Sequence, residues 1–178
     1  MNRRRTRLVL TLTLPALLWW GSGHAHATAA TTGTPCTFAF DVTVSPGLSS
    51  TAKSSGTFTS NGQTGTITCN GTVNGKQPTG AGTFGTSGRY GTKNGGDTCQ
   101  SGGNGDGVDN ITVPTASGNQ SVTSHFTFVY GALKGGGLIS GTFTGDRFSG
   151  TFDVQLTQGD CVTKPFTKGH VTGKGMLT

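Results

Sequence analysis

The side chains able to do chemistry here are few and far apart. The 178 residues include seven acidic groups, all Asp, and no Glu. Glycoside hydrolysis calls for two cooperating carboxylates, and only Asp106 and Asp109 stand close together in sequence. Any other pair would have to be assembled from separate strands. No G-x-S-x-G elbow is present to present a serine nucleophile. Of the four His, two fall in an N-terminal leader, leaving His125 and His170. A lone His on a polar strand face reads first as a solvated side chain, and a ligand or catalytic role gains weight only if the two imidazoles meet.

Asp106 and Asp109 belong to the run Gly102-Gly-Asn-Gly-Asp-Gly-Val-Asp-Asn110, whose oxygen atoms would suit a hard cation. Its register fits neither the nonapeptide calcium repeat nor a D-x-D-x-D-G loop. The pair is therefore a weak calcium candidate in a solvated loop, and neither a metal nor a cofactor is expected.

Cys36, Cys69, Cys99 and Cys161 are spaced by 33, 30 and 62 residues and form no C-x-x-C. That spacing argues against zinc and for two disulfides in an oxidising compartment. Three pairings are open. Cys36–Cys69 with Cys99–Cys161 is preferred, because Cys36 opens the first expected strand and Cys69 closes the third.

The elements that must position these residues begin after a leader. Arg3-Arg-Arg-Thr-Arg7, an apolar stretch from Leu8 to Trp20 and the closing Ala25-His-Ala27 form a secretory signal over residues 1–27, too short in its apolar part to span a membrane comfortably. Cleavage after Ala27 would leave one domain's worth of chain. Residues 28–35 read as a flexible lead-in, and 36–178 as a single domain. Four of the thirteen Lys and Arg lie in the leader, leaving nine against seven Asp. These nine are scattered singly and do not interleave with aromatics, so nucleic acid is not an expected partner. Nor is a membrane once the leader is gone. Both Trp also sit in the leader, at Trp19 and Trp20, which weakens the case for a module that stacks on sugar rings.

The strongest pattern is the block from Gln120 to Thr157. Val122, Ser124, Phe126, Phe128 and Tyr130 alternate with polar residues, then Ile139, Gly141 and Phe143, then Phe148, Gly150, Phe152, Val154 and Leu156. Period two over this length means strands with one apolar and one Thr-rich face. Thr144-Gly-Asp-Arg147 is a hairpin turn between the last two. Upstream, Cys36 to Val44 is a strand stopped at Ser45-Pro-Gly47, and a hairpin is expected to turn at Asn61-Gly-Gln63. Thr79 to Thr92 holds one or two Gly-rich strands, Asn94 to Gly107 the longest loop, and Asp109 to Pro114 a short strand.

Nine or ten short strands with no helical period give an all-β fold, either an antiparallel barrel or a β-sandwich. Gly141 and Gly150 beside large Phe residues suit the tapering interior of a barrel, which is preferred, with the last strand closing onto the first.

The short Arg-led signal ending in Ala-His-Ala, the recurring Ser-Gly-Thr-Phe at 55–58, 140–143 and 149–152, and Gly-Asp-Cys161 before a Gly-alternating final strand resemble the small secreted Gly/Thr-rich four-cysteine β proteins of actinobacteria. Those proteins mostly lack an assigned activity, so the resemblance implies no functional residue.

The expected function is a secreted, extracellular, monomeric binding protein, with a small apolar molecule or an extracellular protein as partner. A small ligand would sit among Phe126, Phe128, Tyr130, Phe143 and Phe152, with His125 as a further candidate contact. Two other readings stay open: an allene-oxide-cyclase-like or dirigent-like barrel enzyme, and an inhibitor or toxin acting through a 94–109 loop.

Overall fold

The computed structural model describes residues 33–62 and 65–178, so the expected signal over 1–27 and most of the lead-in lie outside the described residues. The described chain is all-β. Its strands are β1 (Thr34–Leu48), β2 (Gly56–Thr59), β3 (Gly65–Cys69), β4 (Gly82–Tyr90), β5 (Gly103–Thr115), β6 (Gly118–Tyr130), β7 (Leu138–Gly145), β8 (Phe148–Gln158) and β9 (Phe166–Leu177). Each pairs antiparallel with its neighbour, and β9 returns to β1 in register from Thr34↔Leu177 to Thr43↔Lys168. The result is a closed up-and-down barrel with eight strand positions, and closure leaves no free sheet edge.

One position is shared. The expected hairpin at Asn61-Gly62 does not form, because β2 and β3 do not pair with each other. Both lie between β1 and β4, β2 against Thr43–Ser45 and β3 against Cys36–Ala39. Asn61 and Gly62 do adopt left-handed backbone angles of 49° and 87°, as a turn requires. The chain nevertheless resumes in the same slot. Ser60, buried at the break, donates its N–H to the Thr86 carbonyl at 2.9 Å and accepts the Thr86 N–H on its hydroxyl at 2.9 Å. Bonding to β4 therefore runs on through the interruption.

Two other expectations need correction, and a third is narrowed. β1 begins at Thr34, inside the stretch expected to be flexible, and runs through Ser45-Pro46-Gly47 to Leu48 with a register shift against β9 beyond Thr43. Such an irregularity tolerates a proline that has no N–H to offer the ladder. Of the one or two strands expected over 79–92, the chain forms one, β4. The supposed long loop from Asn94 ends at Gly102, because Gly103 to Asp109 already belong to the 13-residue β5, paired throughout with β6. The 94–109 loop imagined for an inhibitor is half barrel wall.

The two ends of the barrel differ. At the turn end two connections are tight, Ala116-Ser117 and Asp146-Arg147, and the third is the 70–81 segment between β3 and β4. Ile67, Ile111, Val113, Val122, Leu177 and the fully buried Phe148 pack there into a solid plug. Burying each such side chain contributes roughly 1.5–3 kcal/mol. Cys36 and Cys69, direct partners across β1 and β3, are joined by a disulfide at this end. At the loop end, the segments 49–55, 91–102, 131–137 and 159–165 connect the strands. Cys99–Cys161 ties the second of these to the fourth. Two disulfides set the domain in an oxidising environment. The outer wall is polar, with Thr66, Thr83, Thr112 and Ser121 forming one row across four strands.

Candidate functional site

All ten Phe and both Tyr belong to the apolar interior. They do not fill it. Between the plug and the loop end lies a cavity of about 120 Å³, lined by nine of the Phe, by Tyr90 and Tyr130, and by Val, Leu and Ile side chains. Phe126, Phe128, Tyr130, Phe143 and Phe152, the ligand-binding residues expected from the strand pattern, all line it. Their rings interlock edge to face, with Phe128 against Phe152 at 6.2 Å between centroids and Phe126 against Phe143 at 6.1 Å. These are favourable aromatic geometries, and they fix the walls.

Glycines make room for the β6 rings. On β5 the inward positions Gly103, Gly105 and Gly107 carry no side chain, so the β6 rings lie over bare backbone. An added Cβ at Gly105 would run into the Phe128 ring, and one at Gly107 into the Phe126 ring. The Gly-x-Gly-x-Gly run that resembled a calcium loop is this inward glycine track.

It ends at Asp109, the β5 residue that lines the cavity, before Ile111 and Val113 enter the plug. Asp109 is 3% exposed. Burial pushes its carboxyl up to about 7, against the opposing effect of a hydrogen bond from the Thr86 hydroxyl. Thr86 is its partner across β4 and Ser124 its partner across β6. The Ser124 hydroxyl is committed elsewhere, accepting the N–H groups of Arg147 at 3.2 Å and Phe148 at 3.0 Å. Asp109 is thus the one carboxylate in an otherwise apolar chamber.

Asp106, three residues earlier, points outward and makes a two-pronged ion pair with Arg89 at 3.0 Å. The weak calcium candidate is therefore split by the barrel wall. Among the described residues no three His, Cys, Asp or Glu side chains gather where they could hold a metal ion.

The two His do not meet either. His125 stands on the outer face of β6 beside Asp146, 3.7 Å away, and does not line the cavity. Its own backbone N–H donates to the same carboxylate at 2.9 Å, and this exposed acid lies below its ordinary range with Ser124 and His125 as the lowering partners, outweighing desolvation. His170 is outside on β9, with Nδ1 2.8 Å from Asp41. The period-two pattern had already put His125 opposite Phe126 and Phe128, so its inclusion with them does not survive.

Across the mouth, loop 91–102 is bonded to every other loop at that end. Cys99 donates its N–H to Ser49 at 3.0 Å and accepts from Leu133 at 2.7 Å, while Ser54 and Asp97 exchange backbone bonds of 2.9 and 2.8 Å. The buried Asp97 carboxylate accepts the N–H groups of Gly91 and Asn104, each at 2.9 Å, and the Tyr130 hydroxyl at 3.0 Å. Burial raises the Tyr130 phenol, and the Asp97 charge raises it further. Tyr90 donates to the Pro46 carbonyl. Both phenol groups are thus engaged with the loops and leave Asp109 as the cavity's ionisable group. Asp160 orders the fourth loop, taking N–H bonds from Val162, Thr163 and Lys164 at 2.7–2.9 Å, which with the Thr163 hydroxyl hold its carboxyl far below the usual range.

Asp97 escaped sequence reading as a site residue, and Asp109 was read only as half of a weak calcium candidate in a loop, although the alternation through Asp109, Ile111 and Val113 carried the signal for its inward face. No protein-family profile, no curated protein and no solved structure matches this chain.

Proposed function

We propose that this is a secreted, non-enzymatic binding protein that holds one small apolar molecule inside its barrel. The observation that carries this reading is the aromatic-walled cavity of about 120 Å³. Small barrels ordinarily fill their interior with side chains, whereas here the aromatic side chains enclose a void. An apolar void of this size forfeits roughly 3 kcal/mol at about 24 cal/mol per Å³. A ligand that fills it returns that contact energy. Engineered cavities of roughly 150 Å³ take up benzene, which sets the scale of the occupant at one ring or a short branched chain. Export is supported by the N-terminal leader pattern and the two disulfides. The Thr-rich outer wall is unlike the apolar band of a membrane barrel.

A second reading, a small barrel enzyme that shapes a reactive substrate in the allene-oxide-cyclase-like or dirigent-like manner, is favoured by one feature. Asp109 is a buried acid poised near neutrality at the cavity floor, where it could exchange a proton with a bound molecule. The likeness is one of architecture alone.

The test is native mass spectrometry of the protein purified from its own culture medium, before and after unfolding. A mass excess lost on unfolding, or uptake of toluene by the empty protein, supports the binding reading. No excess and no uptake overturns it. Turnover of the released molecule would move the protein to the second reading.

A further inference from the structure

We propose that the cavity is built for a small hydrophobic amine, bound as its cation with the ammonium group on the Asp109 carboxylate and aromatic rings around it. This rests on the binding reading above and names the chemistry of the ligand.

The argument starts from charge. A buried carboxylate is ordinarily paired, and among the described residues the ion pairs are Arg89–Asp106, His125–Asp146 and His170–Asp41, none involving Asp109. Its flanking residues are Thr86 on β4, Ser124 on β6, and Gly107 and Ile111 on its own strand. The remaining lining is Phe, Tyr, Val, Leu and Ile, with no Lys, Arg or His. The Asp97 carboxylate lies with Tyr90 and Tyr130 at the loop end, near Gly103 and Gly105. That is four or more residues along β5, or roughly 13 Å, from Asp109. The chamber therefore presents one acid, no protein cation, and many ring faces.

Those ring faces matter. An aromatic face attracts a cation, most strongly where water is excluded, and cages of such rings are a known means of holding ammonium groups. A neutral hydrocarbon would satisfy the rings and leave the carboxyl idle. An alcohol would engage the acid without using the rings' quadrupoles. A monocation of one-ring size uses both and supplies the missing counter-charge. Because the free acid titrates near 7, while an alkylamine stays protonated well above that, as Lys does at about 10.4, amine binding should strengthen from acid to neutral pH.

The experiment is titration calorimetry of the full exported protein with benzylamine, benzyl alcohol and toluene at pH 5, 6, 7 and 8. The expected result is that benzylamine binds at least tenfold tighter than benzyl alcohol at pH 8. Its affinity should fall about tenfold per pH unit below 7, while toluene is indifferent to pH. Asp109→Asn should lose the preference for benzylamine and keep toluene, and the pH series on the unaltered protein stands by itself should that variant not fold. If toluene or benzyl alcohol binds while benzylamine does not exceed benzyl alcohol, or if benzylamine shows no pH dependence, the amine inference fails and the binding reading stands. If none of the three binds, both fail.

Discussion

Asp106 and Asp109 are three residues apart on one strand and lie on opposite sides of the barrel wall, one paired with Arg89 in solvent and the other buried in an aromatic chamber. Odd spacing on a strand reverses the face. The same acid type thus serves two unrelated environments.

The first prediction follows from that burial. The Asp109 acid is weaker in the folded chain, at about 7, than its ordinary value of 3.8, so the folded state keeps a proton that the unfolded state gives up. This contribution is full below pH 4 and is lost as pH rises through 7, by roughly 4 kcal/mol in the single-site limit. Urea midpoints of the unaltered protein should decline between pH 5 and pH 8. Asp109→Asn should show a flatter profile and overtake it at pH 8. Parallel profiles would show that Asp109 ionises freely in the fold.

The second concerns the loop end. Cys99–Cys161 spans 62 residues, and removing it with paired Ser substitutions should cost about 4 kcal/mol on chain-entropy grounds. It should also speed exchange of a bound ring compound, because loop 91–102 is then held across the mouth by hydrogen bonds alone. Removing Cys36–Cys69 should destabilise without changing exchange, since it clips strands beside the plug. Relaxation-based NMR exchange of a fluorinated toluene would separate the two.

A third prediction tests the glycine track. Gly105→Ala sets a methyl against the Phe128 ring and the Arg89 carbonyl. It should destabilise by roughly 1–3 kcal/mol through overpacking and reduce toluene uptake. An unchanged thermal midpoint would mean that the ring has room to retreat.

The outward histidines give a fourth. His125→Ala and His170→Ala should each leave toluene and benzylamine affinity within twofold, because neither side chain reaches the cavity. A tenfold loss in either would put an imidazole in the site after all.

The legible part of this protein was the part governed by period two. Alternation through Val122–Tyr130, Ile139–Phe143 and Phe148–Leu156 located both the inner face and five cavity residues. Cys36 and Cys69 were paired correctly from their places at strand ends. What misled was turn chemistry. Asn61-Gly62 has the backbone of a turn, yet the two strands on either side of it share one position between β1 and β4 and do not pair with each other, because whether a chain reverses depends on which strands lie on either side, a fact of closure and not of local sequence. Likewise Gly103–Gly107 looked like loop because glycine carries no face of its own. Its inward positions are defined by Phe126 and Phe128 on the neighbouring strand.

The seam that closes the barrel pairs Thr34 with Leu177. Both ends of the folded wall therefore emerge side by side at the plugged end, the full length of a strand away from the loop-framed mouth. A tag, a carrier domain or a solid support joined directly at Thr34 or beyond Leu177 would attach below the cup, away from its opening, so this barrel can be immobilised or displayed from either end of its wall without blocking what enters it.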